Sequence, residues 1–187
     1  CDEIMAVRIP ETAVKLRRIM NQAQIIQSHA LSFFHLSSPD LLFGFDAEVA
    51  KRNIVHVAAV DPEVAKKGVL LRKYGQEIIR HTAGKRVHGT GAIPGGVNKA
   101  LTEDERSTLL ADAYQMIAWA RDAVGLVKKL HLSNVALYNS FGAFRSNMLS
   151  LVAADGSLDL YHGDLRARDD AGRVIFDHAS YEHYWDL

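Results

Sequence analysis

Cysteine is nearly absent from this sequence: Cys1 is the only one in 187 residues. No internal disulfide can form, no CxxC pair exists, and a reducing compartment is expected. An excess charge of one sign is absent as well. Lys plus Arg and Asp plus Glu each number 22, so the formal net charge is zero. That balance offers no basic footprint for nucleic acid. No apolar run reaches the roughly 20 residues that span a bilayer. Several motifs are missing too. There is no GxGxxG and no Walker A Gly-Lys-Ser/Thr. Nine histidines are present, yet none forms the helical i, i+4 pair typical of zinc sites. Ser, His and Asp all occur, but nothing in the sequence orders them into nucleophile, base and orienter.

What is present is organised around Thr12–Ser37, a stretch with no Pro and no Gly. It predicts one long helix, about 39 Å at ~1.5 Å per residue. Its apolar residues cover more than one face, as in a helix buried among others. Asn21, Gln24, Ser28, Ser32 and His35 follow at steps of 3, 4, 4 and 3, which makes a polar stripe. Buried polar groups need hydrogen bonds, so the stripe is expected to face a polar network or a partner. The helix is expected to end at Ser37-Ser38-Pro39-Asp40, with an apolar turn LLFGF after it.

Asp61-Pro62 predicts a helix start, and Gly84 its stop after about Thr82. The loop KRVHGTGAIPGGVNK follows, with Gly89, Gly91, Gly95, Gly96 and Pro94. Read alone it is a tight connector, where glycine permits positive φ and close backbone approach. Thr102 and Glu105 match a capping box. They open a third long helix, to about Leu130, with Leu109, Leu110, Ala113, Met116, Ile117, Ala120, Val124 and Val127 as its expected core face. Beyond it the pattern changes. Short runs at 148–152, 158–161, 165–168 and 174–176 are separated by Asp-Gly and His-Gly-Asp turns, as in an antiparallel meander. The expected fold is mainly α: a long-helix bundle over residues 1–140, with a small β meander lobe at 141–187. CDEIMAVRI reads as the tail of a helix and YEHYWDL ends without a cap, so both ends are expected to be cut from a longer polypeptide.

Four stretches, in order, carry a resemblance. IPETAVKLRRIM, QSHALSFFHLSSPDLLFGFD, LRKYGQEIIRHTAGKRVHGTGAIPGGVNK and SLDLYHGDLRARD together resemble the large subunit of [NiFe]-hydrogenases, in particular the cytoplasmic, bidirectional, NAD-reducing group. The resemblance covers nearly the whole chain. It implies a largely helical fold around a nickel-iron centre held by two CxxC pairs. Those pairs would lie before Cys1 and beyond Leu187, and Cys1 matches a position that is not a ligand. The resemblance thus implies a central segment with no metal ligand of its own, inactive alone.

For the intact enzyme it implies heterolytic cleavage of H2 and electron exit through iron-sulfur clusters of a small subunit. Flavin and NAD would bind on separate diaphorase subunits, which agrees with the missing dinucleotide fingerprint. His29 matches a histidine near the metal centre, with an implied role in orienting groups or moving protons; the alternative is a satisfied core histidine. Ser28 stands where many relatives carry Asp, so a carboxylate there cannot be assumed. His88 matches a histidine near the small-subunit face and its nearest cluster; the alternative is a histidine that only shapes the loop. Gly95 and Gly96 are expected to let that loop pack closely. A competing resemblance is the quinone-side subunit of respiratory complex I, a non-catalytic electron-transfer relative without the nickel cysteines. A plain helical interaction domain is the third alternative.

Overall fold

The computed structural model describes residues 1–180. The chain end YEHYWDL, residues 181–187, lies outside the described residues. The chain divides into two compact units, Cys1–Asn134 and Val135–Leu187.

The first unit is helical. Residues 2–6 form a turn closed by the Met5 N–H on the Cys1 carbonyl, 3.0 Å, instead of the expected helix tail. Helix α1 (Glu11–Ala30) starts after extended Pro10, with Glu11 in its first turn. It does not stop where the sequence reading ends it. It widens into a π-helix over Leu31–Ser37 and continues as α2 (Ser38–Phe43). The Ser38 N–H reaches back five residues to the Phe33 carbonyl. Pro39 interrupts this ladder, because it has no N–H to donate to the Phe34 carbonyl five residues back. The buried Ser38 hydroxyl donates to the Phe34 carbonyl at 2.6 Å. Gly44, at φ +94°, ends the run.

A short α3 (Ile54–Val60) is capped by Asn53. The next helix, α4 (Pro62–Ala83), has the expected boundaries. The Asp61 side chain accepts from the Val64 N–H, and Gly84 takes the left-handed conformation. Helix α4 packs along α1 and the π segment, where it carries two glycines seven residues apart. A Cβ on Gly75 would stand 2.7 Å from the Ala23 carbonyl oxygen, and one on Gly68 2.4 Å from Phe34 Cβ. Ala23, Ile78, Ile79 and Ala83 form one core cluster; Ala30, Phe34 and Leu71 form another.

Helix α5 (Glu103–Ser133) opens with the expected capping box, Thr102 to Glu105. Its core face differs from the expectation. Leu109, Met116, Trp119 and Ala123 are the side chains half-covered against the two clusters. Leu110, Ile117 and Val124 remain 49%, 47% and 55% exposed. The helix therefore carries two apolar stripes, of which α4 covers one.

The glycine-rich loop, expected as a tight connector, contains a hairpin. Strands β1 (Ala92–Ile93) and β2 (Gly96–Val97) pair antiparallel, Ala92 opposite Val97 and Ile93 opposite Gly96. Pro94 and Gly95 fill the turn. Gly95, at φ +82°, supplies the positive φ such a turn requires.

In the second unit α6 (Val135–Ser140) precedes strands β3 (Met148–Val152), β4 (Asp164–Arg168) and β5 (Val174–Ala179), which form an antiparallel sheet in that order. The expected strand at 158–161 is reduced to one bridge, Leu158 with Val152. Asp159 Oδ1 accepts from the N–H groups of both Tyr161 and His162, which bends the backbone into a turn. The fold is mainly α with a small antiparallel meander, as expected from the sequence.

Candidate functional site on α1 and the loop after α4

The polar stripe of α1 and the glycine loop, read separately in the sequence, meet in the structure. Arg17, Met20, Asn21 and Gln24 share one face of α1. With Arg86, His88 and Gly89 of the loop they line a cavity of about 380 Å³. His88 is held at φ +51°, a left-handed conformation that few residues other than glycine take. Gly89 and Gly91 account for the close packing of the loop. A Cβ on Gly89 would stand 2.5 Å from Ala83 Cβ, and one on Gly91 2.9 Å from both Met20 Sδ and the Thr82 carbonyl. At Gly95 and Gly96 a Cβ would meet only ordinary contacts at 3.7 Å. The close approach expected at Gly95 and Gly96 thus falls on their neighbours, while Gly95 serves the turn.

The loop is tied down by a clamp the sequence reading missed. Arg17 Nε donates to the Gly96 carbonyl at 3.0 Å. Its Nη2 donates to the carbonyls of Ile93 and Gly96 at 2.6 and 2.7 Å. Its Nη1 donates to Asp2 Oδ2 at 2.8 Å, and Asp2 Oδ1 in turn accepts from the Gly95 N–H at 2.7 Å. The Arg17 hydrogen bond, followed by that of the Gly95 amide, lowers the Asp2 pKa to about 2. Arg17 was visible in the sequence as the lone cation beside the polar stripe, but nothing local pointed to partners more than 70 residues away.

His29 lies elsewhere. Its Nδ1 is 2.9 Å from the Ile25 carbonyl. A carbonyl only accepts, so Nδ1 carries the proton in that bond, and Nε2 of the neutral ring keeps its lone pair. His29 borders an apolar cavity of about 700 Å³ with Ile25, Phe33 and Leu71 on one side and Ala120 and Val124 of α5 on the other. Ser28 is exposed on a different face of α1. Gln24 and Ser32 are exposed as well, so the stripe presents its middle outward from this chain. At its far end, His35 has a buried Nδ1 with no hydrogen-bond partner among the described residues. The structure brings His88 together with Asn21 and Gln24, and neither His29 nor Ser28 lines their cavity.

A third polar cluster joins the end of α4 to the start of α5. Glu105 accepts from Lys99 Nζ at 2.7 Å and from the Thr102 N–H at 3.0 Å, and lies 3.0 Å from His81 Nδ1. Lys99, then Thr102 and His81, hold its carboxyl well below the usual range.

No family model matches the chain. Individual proteins do. One component of the vhu F420-non-reducing hydrogenase of Methanocaldococcus jannaschii is 42% identical over 185 residues, covering 98% of this chain and 44% of that protein. The beta subunit of the NAD-reducing hydrogenase HoxS of Cupriavidus necator is 36% identical over 187 residues, covering 95% of this chain and 38% of that protein. The crystal structure of an NAD+-reducing [NiFe]-hydrogenase in the H2-reduced state superposes with a TM-score of 0.90 at 46% identity, over 96% of this chain and 40% of that one. The chain belongs to the [NiFe]-hydrogenase large-subunit family. It spans less than half the length of these relatives.

The family name carries nickel and iron, and the donor set among the described residues does not fit such a centre. Cys1 is the only thiol and is exposed. Among the described residues no three His, Cys, Asp or Glu side chains converge on a point where a metal ion could sit. No described helix is long and apolar enough to cross a membrane.

Proposed function

We propose that this chain is the central segment of the large, catalytic subunit of a cytoplasmic, NAD-reducing [NiFe]-hydrogenase. The intact enzyme oxidises H2 or reduces protons. Electrons pass through an iron-sulfur small subunit to flavin- and NAD-binding diaphorase subunits. The nickel-iron ligands belong to parts of the longer relatives that this chain does not span, and the segment alone is inactive. The observation that carries this reading is the agreement of sequence and fold with an NAD+-reducing [NiFe]-hydrogenase across 96% of the chain. That span includes the polar stripe and the loop. The relatives found are hydrogenases, which favours this reading over the quinone-side subunit of complex I.

Two histidines serve the whole enzyme in this reading. His88 faces the small subunit. It offers a ring N–H toward the nearest cluster there, with Gly95 shaping the hairpin beside it and Gly96 receiving the Arg17 clamp. His29, its Nδ1 fixed on the Ile25 carbonyl, presents Nε2 to groups around the metal centre. Ser28, next to it, supplies a hydroxyl and no charge.

Metal analysis of two polypeptides tests the proposal. A full-length subunit extended at both ends is expected to hold near-stoichiometric nickel, and residues 1–187 alone none. Stoichiometric nickel in the shorter polypeptide would overturn the assignment of the ligands. A full-length subunit without nickel in a hydrogenase-maturing host would overturn the family function.

A further inference from the structure

The core of the first unit is built from α1 and α4, and Arg17 stands outside both of its clusters. Its hydrogen bonds run instead to the hairpin carbonyls of Ile93 and Gly96 and to Asp2. Asp2 completes a ring through the Gly95 amide. The side chains of Arg17 and Asp2 are only 15% and 25% exposed. Within the loop, the Asn98 N–H donates to the Gly91 carbonyl at 3.0 Å and Asn98 Nδ2 to the Thr90 carbonyl at 2.6 Å. Residues 90–98 are thus closed on themselves. His88 precedes that piece by one residue, Gly89, which is itself pressed against Ala83.

We propose that Arg17 is a positioning residue: with Asp2 it clamps the β1–β2 hairpin and so sets where His88 stands over the polar face of α1. The guanidinium is suited to this work. Its planar fork serves two carbonyls and a carboxylate at once, which an ammonium group cannot match. Arg17 also lies on the same face of α1 as Asn21 and Gln24, which share the cavity with His88. A displaced hairpin therefore changes the His88 surroundings directly. The inference rests on the role proposed above for His88.

The test uses the full-length subunit in its complex, with variants R17M, R17K, D2N and H88A. Hydrogen–deuterium exchange is followed in peptides covering residues 86–98 and, as a folding control, in α1 and α4. Loss of the clamp in R17M is expected to speed exchange of the hairpin amides by about tenfold or more, the effect of one or two lost hydrogen bonds. Exchange in α4 stays unchanged. R17K recovers the Asp2 contact only and gives an intermediate rate, as does D2N. The reduction potential of the nearest cluster in the small subunit is expected to move in the same direction in R17M and H88A. Unchanged hairpin exchange in R17M overturns the clamp. Faster exchange in R17M with an unmoved potential, when H88A does move it, overturns the positioning role. An unmoved potential in H88A overturns the reading of His88 itself, and hairpin exchange then judges the clamp on its own.

Discussion

Gly75 of α4 lies against the backbone of α1 at Ala23, so near that a methyl group on it would stand 2.7 Å from the Ala23 carbonyl oxygen. A backbone oxygen cannot swing aside as a side chain can. Overpacking of this kind costs about 1–3 kcal/mol, against about 1 kcal/mol gained from helix propensity. Gly75→Ala is therefore expected to lower the thermal midpoint of the full-length protein. Gly125, in the interior of α5, has nothing within 4 Å of its ideal Cβ. Gly125→Ala is expected to raise the midpoint, by up to about 1 kcal/mol of stability. The two variants have the same chemistry and opposite signs, and calorimetry decides between them.

The Asp2 carboxyl sets a pH limit on the clamp. Its pKa falls from 3.8 to about 2, chiefly through Arg17 and then the Gly95 amide. A depressed folded pKa means that the contribution is fully present above the unfolded value and is lost as pH falls through the folded one. Protection of the hairpin amides, taken relative to intrinsic exchange at the same pH, is expected to be independent of clamp protonation above about pH 5 and to fall below pH 3.8, toward 2. In D2N that acid step disappears. A step that persists in D2N would assign it to another carboxylate.

His29→Ala tests the orienting role at the metal centre. In the full enzyme it is expected to lower hydrogen uptake by about 10–100-fold, the usual cost of losing a group that orients a metal site. Unchanged uptake with unchanged nickel content would reduce His29 to a helix residue bonded to its own backbone.

Glu105 joins two helices and a loop lysine. Glu105→Gln keeps the capping box but loses the charge that faces Lys99 and His81. Glu105→Ala loses all three contacts. The expected order of thermal midpoints is native, then Gln, then Ala. Because the carboxyl is held low by Lys99, Thr102 and His81, the native advantage is present above the ordinary Glu value and fades as pH falls below it. Equal midpoints for all three at pH 7 would refute the cluster's contribution.

Features encoded locally were legible before the structure. Asp61-Pro62, Gly84 and Thr102 with Glu105 mark helix ends because a cap is satisfied within three or four residues of itself. The strand expected at 158–161 failed for an equally local reason: the Asp159 carboxylate captures two amides and competes with the ladder. Helix α5 was harder. Its two apolar stripes look alike in sequence, and only the position of α4 decides that Met116 and Trp119 are covered while Ile117 and Val124 are not. The site was half legible. The stripe and the loop each stood out by composition. Their meeting, and the Arg17–Asp2 clamp that fixes it, depend on contacts between residues up to 93 apart, for which no sequence window holds a signal.

The π segment at Leu31–Ser37 has a consequence for evolution and engineering. Each residue of an α-helix turns the chain by about 100°, so a helix in which one stretch is wound wider carries a fixed rotational offset beyond that stretch. Ser38 and Pro39, buried just beyond it, lie in the phase it sets. Relaxing these residues to α geometry at full length would turn α2 by about 100°, the share of one residue, and carry its buried face outward; removing one residue at the same time would restore the phase. Winding and length are matched in this part of the chain, so that one can change only together with the other.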